Sequence, residues 1–290
     1  MKRFLTLAVL GILVASVVAA CSLLRPTQHA QHPPVREATR RPSEVATQAP
    51  TPLETSSATA TPTPARAAQS GGPKLALIID DCGQWDAIER GFIALPVPLT
   101  LSVLPDVHGT KTIAQAAADA GKGVMLHLPM ETVSGMNPGP GKVTTEMTDE
   151  QIAAQVSGDL AQVPLAKGVN NHEGSKASAD ERVMRDVIDV VQKHGDLFFV
   201  DSKTSSTSVA AQVAAAAGVP NASRDVFLDN KEDVAYSEAQ LMQAAEIAKR
   251  TGSAIAIGHP RQTTLDAVRN LIPKLQAEGI EFVLVGSLTR

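Results

Sequence analysis

Leu75-Ala76-Leu77-Ile78-Ile79-Asp80-Asp81-Cys82-Gly83 carries the reading of this chain. A short unbroken apolar run that includes β-branched residues reads as a buried strand, and two carboxylates follow it at once. The arrangement returns three times. Residues 123–126 precede His127-Leu128-Pro129-Met130-Glu131, residues 167–169 precede Asn170-Asn171-His172-Glu173, and residues 254–257 precede Gly258-His259-Pro260. In a barrel of parallel strands and helices every strand opens its C-terminal end onto one face, and active sites sit there. Three histidines and several carboxylates scattered along the sequence would then converge.

Working outward, further strands are expected at 99–104, 197–200, 224–228 and 282–285, with helical segments between them. Thr148/Gln151, Ser178/Glu181 and Ser237/Gln240 each fit a capping box that opens a helix. Gly121, Gly195, Gly218, Gly252 and Gly279 mark helix ends. Val183, Val187, Val190 and Val191 share one helix face. Strand–helix alternation repeated seven or eight times implies a parallel sheet covered by helices. A barrel and an open doubly wound sheet both fit. No glycine-rich nucleotide fingerprint follows the first strand, which favours an α/β fold closed into a (β/α) barrel of seven or eight parallel strands.

The N-terminal region has a different composition. Lys2 and Arg3 precede an apolar stretch ending in Val18-Ala19-Ala20-Cys21. This is the layout of a signal peptide over 1–20. Val18 to Cys21 also resembles a lipobox, which implies cleavage before Cys21 and membrane anchoring through the lipidated thiol. A retained N-terminal transmembrane anchor also fits the apolar length. Either way the rest of the chain is expected outside the cytoplasm, in the cell envelope or periplasm. Residues 21–72, rich in Pro, Thr and Ala, read as a disordered tether. Such a tether suits a macromolecular target such as the cell wall. The folded part is expected over 73–290, ample for one core. The chain holds two cysteines. With Cys21 assigned to the lipobox, Cys82 has no disulfide partner. A net charge of −4 and the lack of a basic run give no reason to expect nucleic acid as a partner.

The strand-end residues suggest a chemistry. Asp80 and Asp81, next to Gly83, could serve as one metal ligand and one group acting on a water. With His127 and His172 they resemble a catalytic site for a divalent metal, Zn2+ being favoured by two imidazoles and a carboxylate. Such a metal acidifies bound water and polarises a carbonyl. A carboxylate can take the water's proton, and His259 is the candidate acid for the leaving group. Plainer roles fit as well. Asp80 could cap the following helix, and His127 could be a satisfied core histidine. Asn170 and Asn171 suit turn hydrogen bonds, with Asn171 also a candidate support for the ligands. Asp201 and Ser202 form a fifth polar strand end that could lie behind the metal ligands. Arg224 is a candidate for lining the cleft, and Trp85, in the first loop of that face, is a candidate platform for a sugar ring.

Together Ile78-Ile79-Asp80-Asp81-Cys82-Gly83, the run 99–105, His127-Leu128-Pro129-Met130-Glu131, the run 168–175, Phe199-Val200-Asp201-Ser202 and Ile257-Gly258-His259-Pro260 resemble the divergent polysaccharide deacetylase family. That family is distantly similar to carbohydrate esterase family four deacetylases. The resemblance covers essentially all of 73–290. It implies a distorted (β/α) barrel and a metal-dependent hydrolase that removes acetyl groups from a cell-envelope polysaccharide or glycan. It also implies Asp80 as general base, Asp81, His127 and His172 as metal ligands, and His259 as acid. The typical deacetylases place two ligand histidines four residues apart. Glu131 stands at that spacing after His127 here, so the second histidine comes from another strand or Glu131 itself ligates. Glu173 stands where Met is expected, and the Arg-Pro motif that orients the base has no equivalent. A non-catalytic envelope barrel that binds a glycan or a protein partner fits the same residues.

Overall fold

The computed structural model describes residues 71–290. The expected signal peptide, lipidated Cys21 and nearly all of the tether lie outside the described residues. Among the described residues no helix is long and apolar enough to cross a membrane. Cys82 is a buried free thiol.

Among the described residues nine strands form one sheet, and every pairing in it is parallel. The strands are β1 (Lys74–Cys82), β2 (Thr100–Val103), β3 (Gly123–Met130), β4 (Gly168–Glu173) and β5 (Phe198–Asp201), then β6 (Asn221–Ser223), β7 (Val226–Phe227), β8 (Ser253–Gly258) and β9 (Glu281–Val283). Seven helices alternate with them: α1 (Asp86–Ile93), α2 (Thr110–Asp119), α3 (Asp149–Gln162), α4 (Glu181–His194), α5 (Ala210–Ala216), α6 (Val234–Thr251) and α7 (Gln262–Ala277). The sheet order is β6-β5-β4-β3-β2-β1-β8-β7. Its two outermost strands are separated in the chain only by Arg224 and Asp225. The Arg224 N–H donates to Asp201 O at 3.0 Å, and the Asp225 N–H donates to Ile255 O at 2.9 Å. One stretch of chain therefore joins both ends of the sheet and curls it into a barrel. The strand expected over 224–228 is thus two short strands on either side of this junction. The last expected strand pairs only at the foot of β1, where Lys74, Leu75 and Ala76 face Glu281, Phe282 and Val283.

Alternation along the strands sorts the core into two clusters. Leu75, Leu77 and Ile79 pack outward with helix residues such as Phe92, Leu241 and Leu275. Ala76 and Ile78 point the other way and join Met125, Val200, Ile255, Ile257 and Val285 inside the barrel. Full burial of one such Leu or Ile contributes about 1.5–3 kcal/mol. The next inward positions up the strands are Asp80, Ser102, His127, Asn170, Ser202 and His259. The barrel thus has an apolar floor and a polar upper tier.

The five punctuating glycines all have positive φ, between 70° and 95°. Of the three expected capping boxes, the one between Thr148 and Gln151 is present and opens α3. The other two helices begin elsewhere. Asp180 caps α4 by accepting from Val183 N at 3.1 Å, and Ser178 lies in a preceding 3-10 turn, Ala177–Ala179. Asp233 caps α6 by accepting from Tyr236 N at 2.7 Å, leaving Ser237 buried inside the helix. Aspartate competes on equal terms with serine for the N-cap, so the S-x-x-E/Q spacing does not locate these helix starts.

Candidate metal and acid–base site

Regular alternation would turn Asp81 away from the barrel interior that Asp80 faces. The chain avoids this with a bulge. The pairing of β1 with β2 shifts register between Ile79 and Cys82, and Asp81 adopts a left-handed conformation with φ 57°. Aspartate is one of the few residues that tolerate this geometry. A buried clamp fixes the loop that leads from β1 into α1. Glu89, fully buried on α1, accepts at Oε1 from the backbone N–H groups of Gly83, Gln84 and Trp85 at 2.9, 3.0 and 2.8 Å. Gly109 N also donates to Gly83 O at 2.9 Å. A Cβ on Gly109 would sit 2.5 Å from that oxygen, so only glycine permits the approach.

Asn170 is the hub of the polar tier. Its Nδ2 donates to Asp80 Oδ1 at 2.8 Å and to Ser202 Oγ at 3.1 Å. Its Oδ1 accepts from Ser102 Oγ and lies 2.8 Å from His127 Nδ1. An amide oxygen can only accept, so the His127 proton belongs on Nδ1 and the Nε2 lone pair faces the other way. There Nε2 meets Asp81 Oδ1 at 3.2 Å and Asp80 Oδ2 at 3.6 Å. His172 Nδ1 lies 2.9 Å from Asp81 Oδ1 and 3.2 Å from His127 Nε2. Asp81 Oδ1 is nevertheless buried without a hydrogen-bond donor aimed at it.

An orphaned carboxylate oxygen beside two imidazole nitrogens, all within 4.8 Å of one another, fits a bound cation. The electrostatics agree. Burial opposes the charge on Asp81, but the contacts with His127 and His172 outweigh it and hold the carboxyl well below the usual range. Burial pushes Asp80 upward. It would lower His127, yet Asp80 and Asp81 beside it leave that imidazole raised.

His259, just past β8, is held from behind by Asp229, just past β7. The His259 N–H donates to Asp229 Oδ2 at 2.7 Å, and His259 Nδ1 lies 2.8 Å from Oδ1. Thr264 Oγ1 donates to Oδ2 at 2.7 Å, and Arg261 donates to the Asp229 carbonyl at 2.6 Å. Burial disfavours the imidazolium, but Asp229 overcomes it and His259 is raised to about 9. Phe227 stacks on His259 with ring centroids 6.1 Å apart. Asp80, Asp81, His127, His172 and His259 share the wall of one cavity of about 280 Å³ with Asn171, Glu173, Ser202, Thr204 and Phe227.

The remaining sequence expectations meet mixed outcomes. The structure does not bring Glu131 to the cluster. Its carboxylate accepts from Thr145 N, Thr145 Oγ1 and Lys176 Nζ, each at 2.8 Å, and so ties down the loop after β3. Asp201 alternates outward from Val200 and accepts from Lys203 N and Ser208 Oγ within its own loop. Asn171 holds the rim by accepting from Ser202 N and donating to Glu173 O. Asp80 caps no helix. Trp85 is 55% exposed on the first loop and outside the cavity wall. Arg224 lies behind the wall, its guanidinium 3.7 Å from the Phe227 ring centre and donating to Ser202 O and Lys203 O. Sequence reasoning missed Asp229, although it stands one residue past the expected strand 224–228 and obeys the same strand-end rule. It also missed Glu89, whose role depends on the fold of the loop it closes.

The sequence matches the divergent polysaccharide deacetylases over residues 77–289. It is 33% identical to the uncharacterized protein YibQ of Escherichia coli over 215 residues, 74% of this chain and 67% of that one. It is 35% identical to an uncharacterized protein of Haemophilus influenzae over 218 residues, 75% of this chain and 77% of that one. The fold superposes on an uncharacterized protein of Agrobacterium tumefaciens with a TM-score of 0.70 at 24% identity, covering 76% of this chain and 90% of that one. It also superposes on a mutant of a Bacillus anthracis CE4-family pseudoenzyme whose activity has been restored. That TM-score is 0.50 at 14% identity, over 75% of this chain and 67% of the other. At these identities the structural likenesses show a shared barrel fold.

Proposed function

The chain belongs to the divergent polysaccharide deacetylase family, and from that premise we propose a metal-dependent hydrolase that removes acetyl groups from a cell-envelope glycan. The observation that carries the reading is the convergence of His127 Nε2 and His172 Nδ1 on Asp81 Oδ1, a buried oxygen with no hydrogen-bond donor. Asp80 and the Asp229-held His259 border the same cavity. Asp81, His127 and His172 would hold a divalent ion, with Zn2+ suited to this donor set. When bound, such an ion supplies Lewis acidity to an acyl carbonyl and lowers the pKa of water.

The protein's own groups do the rest. Asp80, oriented by Asn170, accepts the proton of the attacking water. His259, protonated at neutral pH through Asp229, donates a proton to the departing nitrogen or oxygen. The products are acetate and a free amine or hydroxyl. The N-terminal sequence supports export and tethering to a membrane through a lipidated Cys21.

The test is acetate release from N- and O-acetylated amino-sugar polymers by the zinc-loaded protein and its Asp80→Asn variant. The variant should keep its metal and lose activity by about 10²–10⁴-fold, the usual contribution of a general base. No acetate from any acetylated glycan with the wild type would overturn the reading and leave a binding barrel.

A further inference from the structure

Asp81, Asp106, Glu173 and Lys203 are the non-glycine residues with positive φ among the described residues. Asp81 and Glu173 lie at the ends of strands β1 and β4, and Asp106 and Lys203 follow β2 and β5, so all four lie at strand C-terminal ends. The bulge at Asp81 is explained by the site it completes. Glu173, with φ 52°, is not explained in this way, and glutamate lacks the local hydrogen bonding that makes this region tolerable for aspartate. Such a conformation persists only where its surroundings hold it. Here Asn171 Nδ2 and Thr204 Oγ1 both donate to the Glu173 carbonyl, at 2.9 and 2.6 Å. Gly174 packs so closely that a Cβ would lie 2.9 Å from Met130.

This held residue lines the cavity. The other acidic groups of the wall belong to the metal and acid–base cluster, Asp80 bonded to Asn170 and Asp81 set beside the two imidazoles. The Glu173 carboxylate has no hydrogen bond or ion pair among the described residues, and no Lys or Arg is among the residues lining the cavity. A carboxylate on a wall that carries no lysine or arginine attracts hydrogen-bond donors and repels an anionic group placed directly beside it.

Resting on the deacetylase reading for the ligand being a sugar, we infer that Glu173 is a specificity-determining residue. It takes a hydroxyl or ammonium donor of the sugar chain beside the acetyl group. The substrate class is therefore a neutral or amine-bearing acetylated amino-sugar chain, and glycans with an acidic group at that position are rejected.

Equilibrium binding tests this independently of turnover. Three matched oligomers are titrated against wild type and Glu173→Gln: an N-acetylglucosamine tetramer, the same tetramer with one free amine, and one carrying a carboxylate on the acetylated sugar. Wild type should bind the first two ~10–100-fold tighter than the third, the range set by one hydrogen bond to a charged group. In Glu173→Gln the difference should fall to within about threefold with the melting temperature unchanged. The inference is overturned if the acid-bearing oligomer binds wild type equally well, if Gln leaves the discrimination intact, or if none of the three binds at millimolar concentration. Acetate is measured in parallel. Discrimination that depends on Glu173 without acetate release upholds the inference and counts against the reaction alone.

Discussion

Replacing Asp229 with asparagine removes the charge that keeps His259 protonated while leaving the side-chain shape. Asp229 stands 2.8 Å from His259 Nδ1 and is itself buried. It outweighs burial and raises His259 to about 9 from an ordinary 6.5. At about 1.4 kcal/mol for each tenfold change in proton affinity, the raised His259 contributes about 3 kcal/mol to stability, with Asp229 the leading cause ahead of Asp81 and Asp80. Because the folded-state value is the higher one, that contribution is fully present below about pH 6.5 and is lost as pH rises through about 9. In Asp229→Asn only the charges of Asp81 and Asp80 still oppose burial, and His259 should titrate well below its wild-type value, toward an ordinary imidazole. An NMR titration of the imidazole ring protons reads this directly, and urea unfolding on either side of the window reads the stability. The basic limb of kcat/KM should move down with the imidazole. A wild-type His259 that titrates near 6.5, or a variant that still titrates near 9, would refute the reasoning.

Asn170→Ala leaves His127 Nδ1, Asp80 Oδ1 and Ser102 Oγ without their shared partner, and should destabilise the fold by about 3 kcal/mol. Chemical denaturation measures it, and a loss within about 0.5 kcal/mol would mean the hub carries no net stability. Glu89→Ala strands three backbone donors behind Asp81 and should also cost about 3 kcal/mol, with Glu89→Gln recovering much of it through its amide oxygen. Equal melting temperatures for Ala and Gln would show that the clamp does not act through Oε1.

Much of the architecture was legible because strand and helix periods are local properties. The apolar run at 75–79 announced β1, and glycines after five of the seven helices marked the return to the sheet. The strand-end rule brought Asp80, Asp81, His127, His172 and His259 to one cavity because parallel strands in a barrel share an exit face. The features that escaped depend on contacts distant in sequence or on single backbone torsions. The bulge that turns Asp81 inward follows from the pairing of β1 with β2. The split between β6 and β7 follows from closing the sheet, which no property of residues 224–228 announces. Spacing nominated Glu131 as a ligand, yet Thr145 and Lys176 hold it elsewhere. Asp180 and Asp233 took helix starts that serine spacing had suggested, since capping goes to whichever side chain reaches the free N–H groups.

Metal content tests the central claim most directly. The full chain, its His127→Ala variant and its His172→Ala variant are offered zinc near neutral pH, dialysed and assayed by elemental analysis, with circular dichroism to confirm folding. The expected result is about one divalent ion per wild-type chain, lost in both folded variants, as a three-ligand site requires. A folded wild type that retains no metal, or a metal that survives both substitutions, would contradict the assignment of Asp81, His127 and His172.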